Sequence, residues 1–146
     1  MKKVLIIDDE IKLREALVEL FSFIGYQIVE AQDGLDGLDK VKAHHPDLII
    51  CDIMMPKLDG YGFLKKHLAS EQAEIPVVLL TAKTEEVGEI IGKGLGAKEY
   101  IKKPFSFEEL LERIKIHFRE TDDNEILTLS DIEINITKHQ IFKDKK

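Results

Sequence analysis

The chain has 146 residues, enough for one domain of ordinary size and too few for two complete ones. A composition 44% hydrophobic and 34% charged excludes disordered, collagenous and disulfide-dense classes. The formal net charge of -7 argues against gripping nucleic acid by overall field, and Cys51, the only cysteine, excludes an internal disulfide or a cysteine-rich zinc site.

The longest apolar runs, residues 4–7, 48–51 and 77–80, fall far short of the ~20 residues that cross a bilayer and read as buried strands. Met1-Lys2-Lys3 leads straight into the first of them with no apolar leader core, so the expected location is the cytoplasm, with no membrane partner.

Short β-branched runs alternate with stretches of helical period, the pattern of a parallel sheet covered on both faces. Strands are predicted at residues 3–8, 27–31, 47–52, 76–81 and 99–102. The first helix carries Leu13, Leu17, Leu20, Phe21 and Ile24 on one stripe, and Gly25 stops it. Acidic residues between Asp33 and Asp39 read as a solvated helix face. The fourth helix is interrupted or flanked by Gly88, Gly92, Gly94 and Gly96; it is either the softest helix of the fold or one that ends early in a loop. Ser106 with Glu109 forms a capping-box pattern ahead of Leu110, Leu111, Ile114 and Phe118, which predicts the fifth helix. A polar break at 121–124 acts as a linker, and residues 125–146 change to an alternating pattern of short strands. The expected organisation is an α/β domain over residues 1–120, a doubly wound, flavodoxin-like sheet of order 2-1-3-4-5, followed by a β-rich tail.

In such a sheet ligands bind outside the carboxyl ends of the strands. Asp8 and Asp9 end the first predicted strand and Asp52 ends the third, its neighbour, so three carboxylates converge. They repel one another unless a cation binds, and oxygen ligands with room for water suit Mg2+. Thr81 and Lys103 end the fourth and fifth strands, adding a hydroxyl and an ammonium that can neutralise a phosphoryl group. Taken singly, each has a plainer explanation, since strand-ending aspartates cap helices and a Lys-Pro pair starts a turn. Their combination is the specific signal. The five histidines show no metal-ligand spacing and read as surface or interface residues, and Cys51 reads as a small buried hydrophobe.

Asp8-Asp9, Asp52-Ile53-Met54-Met55-Pro56, Thr81-Ala82 and Lys103-Pro104-Phe105 resemble the signature of two-component response regulator receivers, with Gly60 at the family's loop glycine and Gly96-Ala97 ahead of Tyr100. The resemblance implies Asp52 as phosphoacceptor, Asp9, Asp52 and the Met54 carbonyl as direct Mg2+ ligands, and Asp8 as a largely outer-sphere acid. It implies that Thr81 and Lys103 hold phosphoryl oxygens, that a sensor histidine kinase is the donor, and that the protein is not a turnover enzyme. Thr81 and Tyr100 would form the switch, and the face of the fourth helix, fifth strand and fifth helix would support a phosphorylation-dependent homodimer. Glu99 and Arg113 fit one charge pair of that dimer, whereas Lys98 and Glu89 depart from its pattern.

The tail, including Asp131-Ile132-Glu133-Ile134-Asn135, resembles the opening sheet of a winged-helix effector domain. DNA contact and control of transcription would then need an effector domain that is missing or only begun here. Two alternatives stand beside this reading. One is a stand-alone receiver acting through protein partners. The other is an aspartyl-phosphate-forming phosphatase, disfavoured because Met54 occupies the place of the second acid such enzymes need.

Overall fold

The computed structural model describes residues 2–81 and 96–118. The body of the fourth predicted helix, with Gly88, Glu89, Gly92 and Gly94, lies outside the described residues, as do Ala82, the linker and the tail.

The elements are β1 (Lys3–Ile7), α1 (Ile11–Phe23), β2 (Gln27–Ala31), α2 (Gly34–His44), β3 (Leu48–Asp52), α3 (Gly60–Leu68), β4 (Val77–Thr81), β5 (Glu99–Lys102) and a last helix (Phe107–Ile114) running into a 3-10 turn, Lys115–His117. The five strands form one parallel sheet of order β2-β1-β3-β4-β5, the doubly wound, flavodoxin-like arrangement expected from the sequence.

Three predicted strand limits move by one residue, each for a local reason. Asp8 lies just beyond β1, although its N–H still donates to the Ala31 carbonyl at 3.1 Å. Asp47 precedes β3: its N–H donates to the Lys3 carbonyl at 2.8 Å, but the Lys3 N–H goes to its carboxylate, also at 2.8 Å, and not to a backbone carbonyl. Pro76 has no N–H to give, and only its carbonyl joins the sheet, accepting from Ile49 at 3.0 Å.

Alternate side chains divide the core between the two faces of the sheet. Val4, Ile6, Ile50 and Leu80 meet Leu17 and Phe21 of α1 and Leu110 and Ile114 of the last helix. Leu5, Ile7, Ile49 and Leu79 meet Val41 of α2 and Phe63 and Leu64 of α3. All residues of β3 and β4 are buried, so these strands read as continuous apolar runs up to Asp52 and Thr81, and each of their Val, Leu and Ile side chains contributes roughly 1.5–3 kcal/mol by leaving water. Cys51 belongs to this buried set, as expected.

Helix ends follow local chemistry. Asp33, Asp59 and Ser106 accept the N–H groups of Asp36, Gly62 and Glu109 at 2.8, 2.8 and 3.0 Å. Gly25 closes α1 at φ 106°, a left-handed conformation that glycine adopts without a side-chain clash.

The expectation that every histidine is a surface or interface residue fails at His67, which is fully buried. Its ring stacks on Phe63, with centroids 5.7 Å apart, and Nε2 pairs with the Ile75 carbonyl at 2.9 Å. Burial holds its pKa below the ordinary imidazole value, against the raising effect of the Ile75 bond.

Candidate functional site

The carboxyl ends of β1 and β3 bring three acids together. Asp8 and Asp52 are buried and Asp9 is exposed, with one carboxylate oxygen from each lying within 4.8 Å of the others. This is the convergence predicted from strand order, and the donor set is one that can hold a metal ion.

Asp8 is fixed from three sides. Its N–H is on Ala31, its Oδ1 accepts the Glu10 N–H at 2.8 Å, and its carbonyl accepts from the Arg14 guanidinium. Arg14 is itself paired with Glu30 of β2 at 3.0 Å. The remaining oxygen, Asp8 Oδ2, is buried with no hydrogen-bond partner among the described residues. Burial is the largest influence on the Asp8 carboxyl; opposed by the Glu10 N–H and assisted by repulsion from Asp52, it pushes the pKa up to about 6.

Asp52 ends β3 beside Leu80 of β4. Its carboxyl is also raised, chiefly by burial, while Lys103 pulls the other way through charge and a hydrogen bond from Nζ to Oδ1 at 3.2 Å. Thr81, at the end of β4, is buried, and its Oγ1 has no hydrogen-bond partner among the described residues. The edge therefore holds two partnerless buried oxygens, one on Asp8 and one on Thr81, beside a carboxylate already carrying one cation. Such oxygens carry a desolvation cost that a bound cation or a hydrogen-bonding ligand relieves.

Met54 follows in the loop beyond β3 with its side chain 68% exposed, so it fills no part of the core. Tyr100 lies within β5, beside Leu79 of β4, two positions short of the register of Thr81 at the carboxyl end. Its ring is turned into the core and is 1% exposed. Burial pushes the Cys51 thiol well above its usual range, which removes it as a nucleophile at neutral pH.

Against protein-family models, the chain matches the response regulator receiver domain over residues 4–115. The chain belongs to the response regulator receiver family. The receiver is 40% identical to the probable transcriptional regulator ycf27 of Cyanophora paradoxa, over 98% of this chain and 63% of that protein. It is 33% identical to the response regulator MprA of Mycobacterium sp. (strain KMS), over 99% of this chain and 64% of that one. It thus spans somewhat under two thirds of the curated relatives. Among solved structures, the receiver resembles Vibrio cholerae chemotaxis protein CheY4 with TM-score 0.76 and 33% identity, covering 81% of this chain and 99% of that one. The Francisella response regulator 1452 receiver domain gives TM-score 0.73 and 34% identity, with 80% and 95% covered. No helix among the described residues is long and apolar enough to cross a membrane.

Sequence reasoning missed Arg14, Glu30 and Tyr61. Arg14 and Glu30 are an opposite-charge pair on adjacent elements, but only the packed turn shows that the guanidinium also reaches the Asp8 carbonyl. Tyr61 touches Tyr100 across 39 positions of sequence, which no local pattern signals. Glu99 and Arg113, expected to face each other across a dimer, pair within the subunit at 2.9 Å, and His117 joins Glu99 at 3.1 Å.

Proposed function

We propose that this receiver accepts a phosphoryl group on Asp52 from a phosphohistidine of a sensor histidine kinase and relays the event by a change of shape. The carrying observation is the cluster of Asp8, Asp9 and Asp52 with Lys103 on Asp52 Oδ1 and partnerless buried oxygens on Asp8 and Thr81.

The donor set fits Mg2+: three carboxylates in reach of one point, with the Met54 carbonyl as a further ligand and Asp8 acting largely through water. When bound, the ion would offset the repulsion among the acids and the charge on the phosphoryl oxygens. A carboxylate oxygen of Asp52 forms the new P–O bond as the P–N bond of the donor breaks, its electron pair leaving with the imidazole nitrogen. Lys103 exchanges its place on the carboxylate for one on a phosphoryl oxygen. Thr81 Oγ1 donates to another, and Tyr100 registers that movement as the second half of the switch. The self-catalysed transfer leaves the product on the chain, so the protein is an acceptor and not a turnover enzyme.

We assign residues 1–120 to the receiver, 121–124 to a linker and 125–146 to the opening strands of an effector domain. The similarity to the probable transcriptional regulator ycf27 supports reading the receiver as part of a cytoplasmic regulator of transcription, with DNA contacted only through an effector domain that is missing or only begun here. Homodimerisation on phosphorylation would use the fourth predicted helix, β5 and the last helix. Because Glu99 and Arg113 pair inside the subunit, forming it would require their re-pairing or other contacts.

Incubation with acetyl phosphate and Mg2+ followed by intact-mass measurement tests the chemistry. The expected result is one phosphate on the native chain and none on Asp52→Asn. An adduct of equal yield on both would move the acceptor elsewhere, and sustained turnover of a phosphomonoester would favour the phosphatase alternative. Mass in solution with and without beryllofluoride tests the dimer, and an unchanged monomer counts against it.

A further inference from the structure

The hydroxyl of Tyr61 lies 3.0 Å from the hydroxyl of Tyr100, one donating to the other. Tyr61 is the second residue of α3, half-buried against the same face of the sheet that buries Tyr100. A phenylalanine would fill the ring's space, so the hydroxyl is the feature that packing does not explain.

Tyr61 is also tied to the acceptor. Gly60 donates its N–H to the Ile53 carbonyl at 2.8 Å. A Cβ on Gly60 would fall 2.6 Å from the Asp52 carbonyl oxygen, so the first turn of α3 rests on the backbone of Asp52 itself. Asp59 locks that turn by accepting the Gly62 N–H at 2.8 Å. One end of this short chain of contacts is Asp52 and the other is Tyr100.

We propose that Tyr61 is a positioning residue for Tyr100, its hydroxyl favouring the inward ring and coupling that ring to Asp52 through the first turn of α3. The inference rests on reading Asp52 as the phosphoacceptor. A buried phenol gains from each hydrogen bond it makes, and in the inward arrangement the Tyr61 hydroxyl lies within hydrogen-bond reach of the Tyr100 hydroxyl. By linkage, whatever favours the inward ring also strengthens binding of a phosphoryl group or its mimic, if that ligand prefers the same state. Tyr61 thereby acts on the phosphoryl site without touching it, by a path separate from Thr81.

The chain contains three tyrosines, which makes the test direct. The full chain labelled with 3-fluorotyrosine should give three fluorine resonances, assignable by single Tyr-to-Phe variants. Tyr26, packed between Phe21 and Phe118 ahead of β2, serves as the internal reference. Tyr61→Phe is expected to move the Tyr100 resonance, leave that of Tyr26 in place, and weaken beryllofluoride binding in Mg2+ by about threefold to tenfold. In a Tyr100→Phe background the same substitution should have no further effect on beryllofluoride. An unmoved Tyr100 resonance overturns the proposal, as does equal weakening in both backgrounds, which would make Tyr61 a packing residue only. A native chain that takes up no beryllofluoride overturns the phosphoacceptor reading and the coupling with it, while the fluorine spectra still decide the hydroxyl pairing.

Discussion

Lys103 reaches across β4 to place its ammonium 3.2 Å from Oδ1 of Asp52, joining the end of β5 to the end of β3 over the strand that carries Thr81. The two strands share no ladder, so this ion pair is a direct link between them at the carboxyl edge. Its strength reflects the setting: the Asp52 side chain is 9% exposed and that of Lys103 27%.

Lys103→Met removes that charge while keeping a long apolar stem. Without the ammonium, the Asp52 carboxyl should rise further, since Lys103 supplies the leading influences that now lower it. Adduct formation from acetyl phosphate should slow by about a hundredfold, the usual scale for losing one preorganised charge-stabilising donor. A time course by intact mass checks this, and an unchanged rate would remove Lys103 from the chemistry.

Asp8 gives a pH dependence of definite sign. Its carboxyl is raised from 3.8 to about 6, so in metal-free solution the folded state holds the proton more tightly than the unfolded state. Its stabilising contribution is present below pH ~4 and is lost as pH rises through about 6. At about 1.4 kcal/mol per tenfold change in proton affinity, the loss is on the order of 3 kcal/mol. Urea melts in EDTA should therefore show Asp8→Asn more stable than the native chain at pH 8 and near parity at pH 4. A native chain equal to the variant at pH 8 would contradict the burial argument.

His67 works in the opposite direction. Its pKa lies below the unfolded value of 6.5, so its contribution is present above pH 6.5 and is lost as pH falls below it. His67→Leu should flatten the part of the stability profile just below pH 6.5, at the cost of the Ile75 bond at every pH. If that slope is the same in both proteins, His67 is not its source.

Gly60 and Gly62 separate two kinds of close contact. An added Cβ at Gly60 meets backbone, the Asp52 carbonyl oxygen at 2.6 Å and Ile53 Cα at 2.8 Å, and neither can step aside without moving Asp52. At Gly62 the nearest atom is Leu58 Cδ1 at 2.6 Å, the end of a flexible side chain. Gly60→Ala should cost about 1–3 kcal/mol, whereas Gly62→Ala should be near neutral because helix propensity offsets the crowding. Thermal melts of the two variants, run side by side, make the comparison, and equal losses would refute it.

The fold was legible because burial and periodicity agree. β3 and β4 are apolar up to their last residues, Asp52 and Thr81, since both faces are covered, and Leu17, Leu20, Phe21 and Ile24 fall on the stripe that α1 buries. The acids were legible because strand order alone brings Asp8, Asp9 and Asp52 to one edge. His67 was misread although a signal existed: it lies four residues after Phe63 and three after Leu64, on the buried face of α3. Tyr61 gave no such signal, because its partner is set by how α3 rests on the Asp52–Ile53 backbone, a tertiary relation.

The two borders of the sheet are built unlike its middle. β2 shows Gln27 and Glu30 to solvent, and β5 has only four residues, with partly exposed Glu99 and Lys102 at its ends. Short strands bearing charge make poor templates for a neighbouring backbone, so two copies of this chain are disfavoured from joining their sheets into one. Any pairing of two such sheets would have to run through side-chain surfaces and not through a shared backbone ladder.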